Sequence, residues 1–267
     1  MLAPLAHYAG CGWVAMLWAL LTFLPLCLLI RPKKLGRGLA FLEWLWLIAV
    51  LSRLLPNAAS YWLGGGKTVP LTLLVLAAWG VKGDAPVRGG NVIFWLILPI
   101  LGIVALLAIP KVEPMWLTGK TGDWSSGLMV ALLIPALVRR SGDVQRKGIA
   151  MVGITAIGLS LLIQGCLSLP VAGETAPFYL VGRTIGGGVE ILVSVAMTLS
   201  WYALSSLMIS CGTELLKETG IPGEWGRWIT ALFAGIVIVI GYEIKGMILV
   251  AGTIFMWFLI PILSPEK

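Results

Sequence analysis

Histidine, aspartate and paired cysteine are nearly missing from this chain, and each shortage closes off a class of chemistry. There is one histidine, His7, near the start. The three aspartates, Asp84, Asp123 and Asp143, fall in predicted loops, and none has a second carboxylate beside it. No HExxH pattern and no repeated aspartate motif for a metal diphosphate occurs. A metal-dependent intramembrane enzyme needs clustered imidazoles or carboxylates. The expectation is therefore a protein that is not an enzyme and that carries no metal or cofactor. The four cysteines, Cys11, Cys27, Cys166 and Cys211, lie in apolar segments without CxxC spacing. They read as packing residues rather than ligands or disulfide partners. Two strings, Gly66-Lys67-Thr68 and Gly119-Lys120-Thr121, look like fragments of a phosphate loop. The full motif places a glycine five residues before the second one. Tyr61 and Pro114 stand there instead, so both strings read as turns.

Charge is scarce as well. Charged residues make up 12% of the chain, against roughly 25% in soluble domains. In their place are long apolar runs: 59% of residues are hydrophobic and the mean hydropathy is +0.98. A spanning helix takes about 20 residues, and about nine stretches are long and apolar enough to enter a bilayer. The predicted fold is an all-α, polytopic membrane helical bundle that uses nearly all 267 residues as a single integral domain. Segment A runs over 9–30 and segment B over 39–56, with a possible continuation to 62. The short segment C covers 69–81, and segment D covers 91–110. The short segment E covers 124–138, followed by F over 148–169 and G over 187–211. Segments H, 228–242, and I, 246–263, close the chain. The polar stretch 213–227 reads as a surface helix and turn interrupted by Pro222 and Gly223.

Lysine and arginine set the predicted orientation. One alternating set of loops holds thirteen of them, including Arg31, Lys33, Lys34, Arg37, Arg139, Arg140, Arg146 and Lys147. The other set, with Lys67, Lys111, Lys120, Arg183, Lys245 and Arg53, holds six. The richer set is expected in the cytoplasm, which puts the N-terminus outside and the C-terminus inside. The net charge of +7 then serves anionic lipid rather than nucleic acid. Trp62, Trp116 and Trp124 are expected at the outer interface, and Trp225 and Trp228 at the inner one. No cleavable signal is evident, because the first apolar run lacks a basic leader and is too long. An external N-terminus without flanking charge is natural if one earlier helix is missing.

Ionisable groups inside spans are costly and are functional candidates by default. Glu43 lies early in segment B, Arg53 at its far end, and Glu190 early in segment G. Each has a plainer reading. A helix N-terminus favours a carboxylate, and an arginine can snorkel to the interface. If the glutamates face the bundle interior, they could carry protons or bind an ammonium group. Two places look like broken helix, as transporter ligand sites often are. One is Trp124-Ser125-Ser126-Gly127, where a serine N-cap is the alternative. The other is Gly186-Gly187-Gly188, read as a loop. Segment G also carries Ser194, Thr198, Tyr202 and Ser205 on one helical face. That face lines a cavity or makes interhelical hydrogen bonds.

The order of these segments resembles the B-subunit permeases of endospore germinant receptors, in the amino acid–polyamine–cation superfamily. The resemblance rests on Leu51-Ser52-Arg53-Leu54-Leu55-Pro56 followed by Thr68-Val69-Pro70, and on Ala108-Ile109-Pro110-Lys111-Val112-Glu113. It continues through Leu133-Ile134-Pro135-Ala136-Leu137-Val138-Arg139-Arg140 and Pro177-Phe178-Tyr179-Leu180-Val181-Gly182-Arg183. These are diffuse patterns, running in order from segment A to G. The resemblance implies a LeuT-like pair of inverted repeats lacking the family's first helix. Residues 9–110 would be the first repeat, with four helices, and 124–263 the second, with five. Segment E would match the sixth helix, with its unwound centre near Ser125, Ser126 and Gly127. Segments B and G would match the third and eighth helices, which flank the ligand. Trp124, Ser125, Ser126, Gly127, Glu43, Thr198 and Tyr202 are thus the expected ligand-binding set. Glu43 and Glu190 are the expected proton-coupling pair. The implied role is recognition of a small nutrient such as an amino acid, in the cell or spore inner membrane. The implied partners are the lipid bilayer, an A-type membrane subunit and a C-type lipoprotein. A proton-coupled amino-acid transporter and a noncatalytic scaffold are the competing expectations.

Overall fold

A computed structural model describes residues 13, 14, 17, 21, 36–62, 66–82, 85–118, 146–167, 176–241 and 252. Among the described residues every regular element is helical. Helix α1, Arg37–Leu54, runs directly into a 3-10 helix, Leu55–Tyr61. Helix α2 is Thr68–Gly80. Helix α3, Ala85–Ala108, contains Pro99 and ends in a 3-10 turn, Ile109–Lys111. The short α4 is Pro114–Leu117. Helix α5 is Arg146–Cys166, α6 is Pro177–Ile185, α7 is Val189–Thr219 and α8 is Gly223–Ile240.

Among the described residues, four stretches are long and apolar enough to cross a membrane: Arg37–Tyr61, Val92–Lys111, Val189–Thr219 and Gly223–Ile240. They correspond to predicted segments B, D, G and H. Thr68–Gly80 and Ile157–Cys166 are apolar but shorter, and belong to segments C and F. Segments A and I lie almost wholly outside the described residues, and segment E entirely so. Large apolar side chains stand exposed on these helices, among them Trp95, Leu106, Leu232, Val239 and Ile240. An apolar surface of this extent is unfavourable in water and natural in lipid, so the helices suggest a membrane protein.

The stretch 213–227 differs from its expectation as a surface helix and turn. Helix α7 continues unbroken to Thr219, with Thr213, Leu215 and Leu216 buried. The reversal occupies only Gly220 to Pro222, with Gly220 at φ +101°. Pro222 is the N-cap of α8, so residues 223–227 begin the next helix. The polar residues Glu214 and Lys217 misled the reading. They sit on the exposed face of a continuous helix, joined to each other at 3.2 Å.

The chain divides into two compact units, one of Met1–Arg31 with Leu96–Met197, the other of Pro32–Trp95 with Thr198–Lys267. Each unit draws on both halves of the sequence. In the first, α5 packs against α4 and α6. A methyl on Gly165 would meet the Val112 side chain at 2.8 Å, so the small residue permits the approach. In the second, α8 packs against α1 and α2. Its buried face is built on Gly226, Thr230, Ala234 and Ile238, spaced four apart. Small residues at this spacing let helix backbones approach closely in a bilayer. Gly226 lies against the Thr213 backbone, and Gly212 against Thr230 and Leu47.

Candidate functional site

Helix α1 buries Ala40, Glu43, Trp44, Leu47, Leu51 and Leu54. These positions follow helical spacing and form one stripe. Glu43 is therefore part of the packed face, with only 1% of its surface exposed, and it is not left without a partner. It is the seventh residue of the helix, and no acidic residue occupies the first turn. The helix dipole acts within the terminal turn, so it does not account for this carboxylate. Beside it, Trp44 Nε1 donates to Thr230 Oγ1 at 3.0 Å, and that hydroxyl donates to Gly226 O at 2.8 Å. The Trp44 ring also meets Phe233 edge-on. This polar–aromatic tie locks the rotamer of the residue next to Glu43.

Thr198 and Tyr202 belong to the same unit as Glu43, on α7. Trp62 Nε1 donates to Thr198 Oγ1 at 2.7 Å. The Tyr202 hydroxyl lies over the α2 terminus, where a methyl on Gly80 would meet it at 2.5 Å. A glycine is needed there for the phenol to fit. The other hydroxyls of the predicted polar line are turned to their own helix. Ser194 Oγ donates to Glu190 O at 2.9 Å, and Ser205 Oγ to Trp201 O at 2.8 Å. Such back-bonding satisfies a buried hydroxyl without a ligand.

Glu190 lies in the other unit, in the first turn of α7, where the dipole does favour a carboxylate. It is half-buried, and its Oε2 is buried with no hydrogen-bond partner. Its backbone is fixed by α6. Gly186, Gly187 and Gly188 all adopt positive φ, forming the turn expected of that triplet. The reversal brings Gly182 against the Glu190 backbone. Arg53 stands in the last turn of α1, where a cation complements the helix end. Trp124, Ser125, Ser126 and Gly127 lie outside the described residues.

Sequence reasoning passed over Gln164. It is 1% exposed within apolar segment F, and both ends of its amide are used. Oε1 accepts from Trp13 N and Nε2 donates to Trp116 O, each at 2.9 Å. Trp13 Nε1 in turn donates to Leu117 O at 3.0 Å. A lone amide in an apolar span was the available signal, since such groups join helices in lipid. No protein-family model matches the chain, and no curated protein matches it.

Proposed function

We propose that this chain is a permease-like membrane subunit that recognises a small zwitterionic nutrient such as an amino acid. The role is that of the germination permeases it resembles. One observation carries the reading: Glu43 is an ionisable group on the packed face of a helix apolar enough to span a membrane. A carboxylate kept in such a place marks a ligand or ion pathway by default, and it is the chemical complement of an ammonium group. Thr198 and Tyr202 add hydroxyl groups in the same unit. Nine spans, inverted repeats without the leading helix, an outer N-terminus and a cytoplasmic C-terminus in the cell or spore inner membrane belong to this proposal. The expected ligand contacts at Trp124, Ser125, Ser126 and Gly127 lie outside the described residues and stay part of the proposal. Ligand binding biases an A-type subunit and a C-type lipoprotein by favouring one helix packing over another.

A second reading, proton-coupled transport, is favoured by Glu190, whose buried Oε2 lacks a hydrogen-bond partner. The two readings part in one experiment. The protein is placed in lipid nanodiscs and titrated calorimetrically with single amino acids, and also sealed into vesicles for uptake of the same labelled compounds. The receptor reading expects binding without net flux, weakened at least about tenfold in Glu43→Gln, a loss of roughly 1.4 kcal/mol. Proton-driven uptake abolished by Glu190→Gln would favour the transporter. If no amino acid binds the wild-type protein, both readings fail and a scaffold remains.

A further inference from the structure

At one end of the second unit, a polar pocket of about 350 Å³ opens between the α1 terminus, the start of α2 and the end of α8. Ser52, Arg53 and Lys67 line it, with the backbone of Gly66 and Gly241. Among the described residues that line it are two cations and no acidic side chain. Arg53, which lines the pocket, has a buried Nε with no hydrogen-bond partner, and an unsatisfied buried donor is costly. Lys67 Nζ spends one proton on Val239 O at 2.7 Å; an ammonium has two more to give. No side chain caps the start of α2, so its first N–H groups add positive potential on the same side.

A second cavity, of about 440 Å³, follows the same two helices. It is an apolar groove between α2 and α8, walled by Leu71, Val75, Leu232, Gly235 and Ile240 and reaching Trp228. On α8 it extends from Ile240 to Trp228, about 18 Å at helical rise. The two cavities share no lining residue, but they adjoin at this end: Lys67 of the pocket donates to Val239 O, and Val239 lines the groove. A cationic pocket at helix ends, beside an apolar groove along a helix apolar enough to span a membrane, matches the headgroup and acyl chain of a phospholipid.

We infer that these two cavities together form a binding site for an anionic phospholipid, with Arg53 and Lys67 on the headgroup phosphate and one acyl chain in the α2–α8 groove. A free phosphate would satisfy the cations and leave the groove unfilled. A zwitterionic lipid would fill the groove and carry its own ammonium into a pocket that already holds two cations.

Native mass spectrometry of the detergent-solubilised protein, titrated with dioleoylphosphatidylglycerol or dioleoylphosphatidylcholine, tests this directly. Phosphatidylglycerol should bind at least about tenfold more tightly, and Arg53→Gln and Lys67→Gln should each weaken it about fivefold. The double variant Arg53→Lys with Lys67→Arg keeps both charges and should keep the preference, which separates headgroup binding from loss of fold. Gly235→Leu should weaken both lipids. Its Cβ would meet Leu71 at 3.5 Å, an ordinary contact, so the helices can remain in place while the side chain fills the groove. Equal binding of the two lipids, or a preference unchanged when Arg53→Gln and Lys67→Gln are combined, would overturn the assignment and leave the cations as helix caps. Displacement of phosphatidylglycerol by millimolar inorganic phosphate or glycerol 3-phosphate would overturn the lipid as occupant and assign the pocket to a soluble anion.

Discussion

Gly182 is where the packing makes its sharpest demand. Helix α6 reverses into α7 through three glycines at φ +82°, +66° and +83°. The reversal is tight enough that a Cβ on residue 182 would sit 2.9 Å from Glu190 Cα and 3.0 Å from Glu190 N. Carbon contacts become ordinary at 3.4 Å, so the first turn of α7 would have to retreat by about 0.5 Å. The obstacle is backbone and cannot rotate aside as a side chain would. Overpacking of this kind costs about 1–3 kcal/mol. Alanine returns up to about 1 kcal/mol over glycine inside a helix. Gly182→Ala should therefore destabilise the protein by about 1–2 kcal/mol, a factor of about 5 to 30 in the folding equilibrium. Gly158, in α5, has nothing within 4 Å of its would-be Cβ. Gly158→Ala should be neutral or stabilising by up to about 1 kcal/mol. Both variants can be unfolded reversibly in mixed micelles of dodecyl sulfate and nonionic detergent, followed by the fluorescence of the thirteen tryptophans. The reasoning is refuted if Gly182→Ala matches or exceeds the wild type, or if the two glycines respond alike.

Three more outcomes follow from the same packing. Gly187→Ala places a Cβ at φ +66° and should cost about 1–2 kcal/mol in the micelle titration, the usual penalty for an L-residue in that region. A double-mutant cycle of Trp44→Phe with Thr230→Val should give a coupling of about 0.6 kcal/mol, and no more than about 1.7, as hydrogen bonds between helices in lipid do. Gly212→Ala would bring a methyl to 2.7 Å from Thr230 Cγ2 and 3.1 Å from Leu47 Cδ2. It should lower stability by about 1–3 kcal/mol and quench or shift the Trp44 emission, because Thr230 is the acceptor of the Trp44 bond.

The element boundaries were readable to within a few residues where apolar runs meet prolines or glycines. Segment B ended in the 3-10 helix over Leu55–Tyr61 that carries Pro56, and segment D in the one over Ile109–Lys111 that carries Pro110. The triple glycine announced a turn because positive φ is cheap only there. Segment G was closed too early, at Cys211. Glutamate and lysine after that point lower the local hydropathy, but a helix can carry them on its outer face without breaking. Gln164 was overlooked for the opposite reason: one amide hardly changes the average of an apolar window.

The sequence by itself suggested lipid as the surroundings of this protein. Its scarce charge, its apolar runs and the positions of proline and glycine decide that it is helical, that much of its surface suits lipid, and where most helices stop. It could not decide which side of each helix is inside. A span whose polar residues are scattered around its circumference has no periodic stripe to mark its buried face, and α1 and α7 are of this kind. Only packing distinguishes Glu43, two turns into α1 on the buried stripe, from Glu190 in the first turn of α7. Only packing brings Lys67 onto Val239, 172 residues away, and so makes one pocket from two cations that the sequence presents as a snorkelling arginine and a turn lysine. Hydropathy sums along the chain, whereas a site is set by which side chains converge in space.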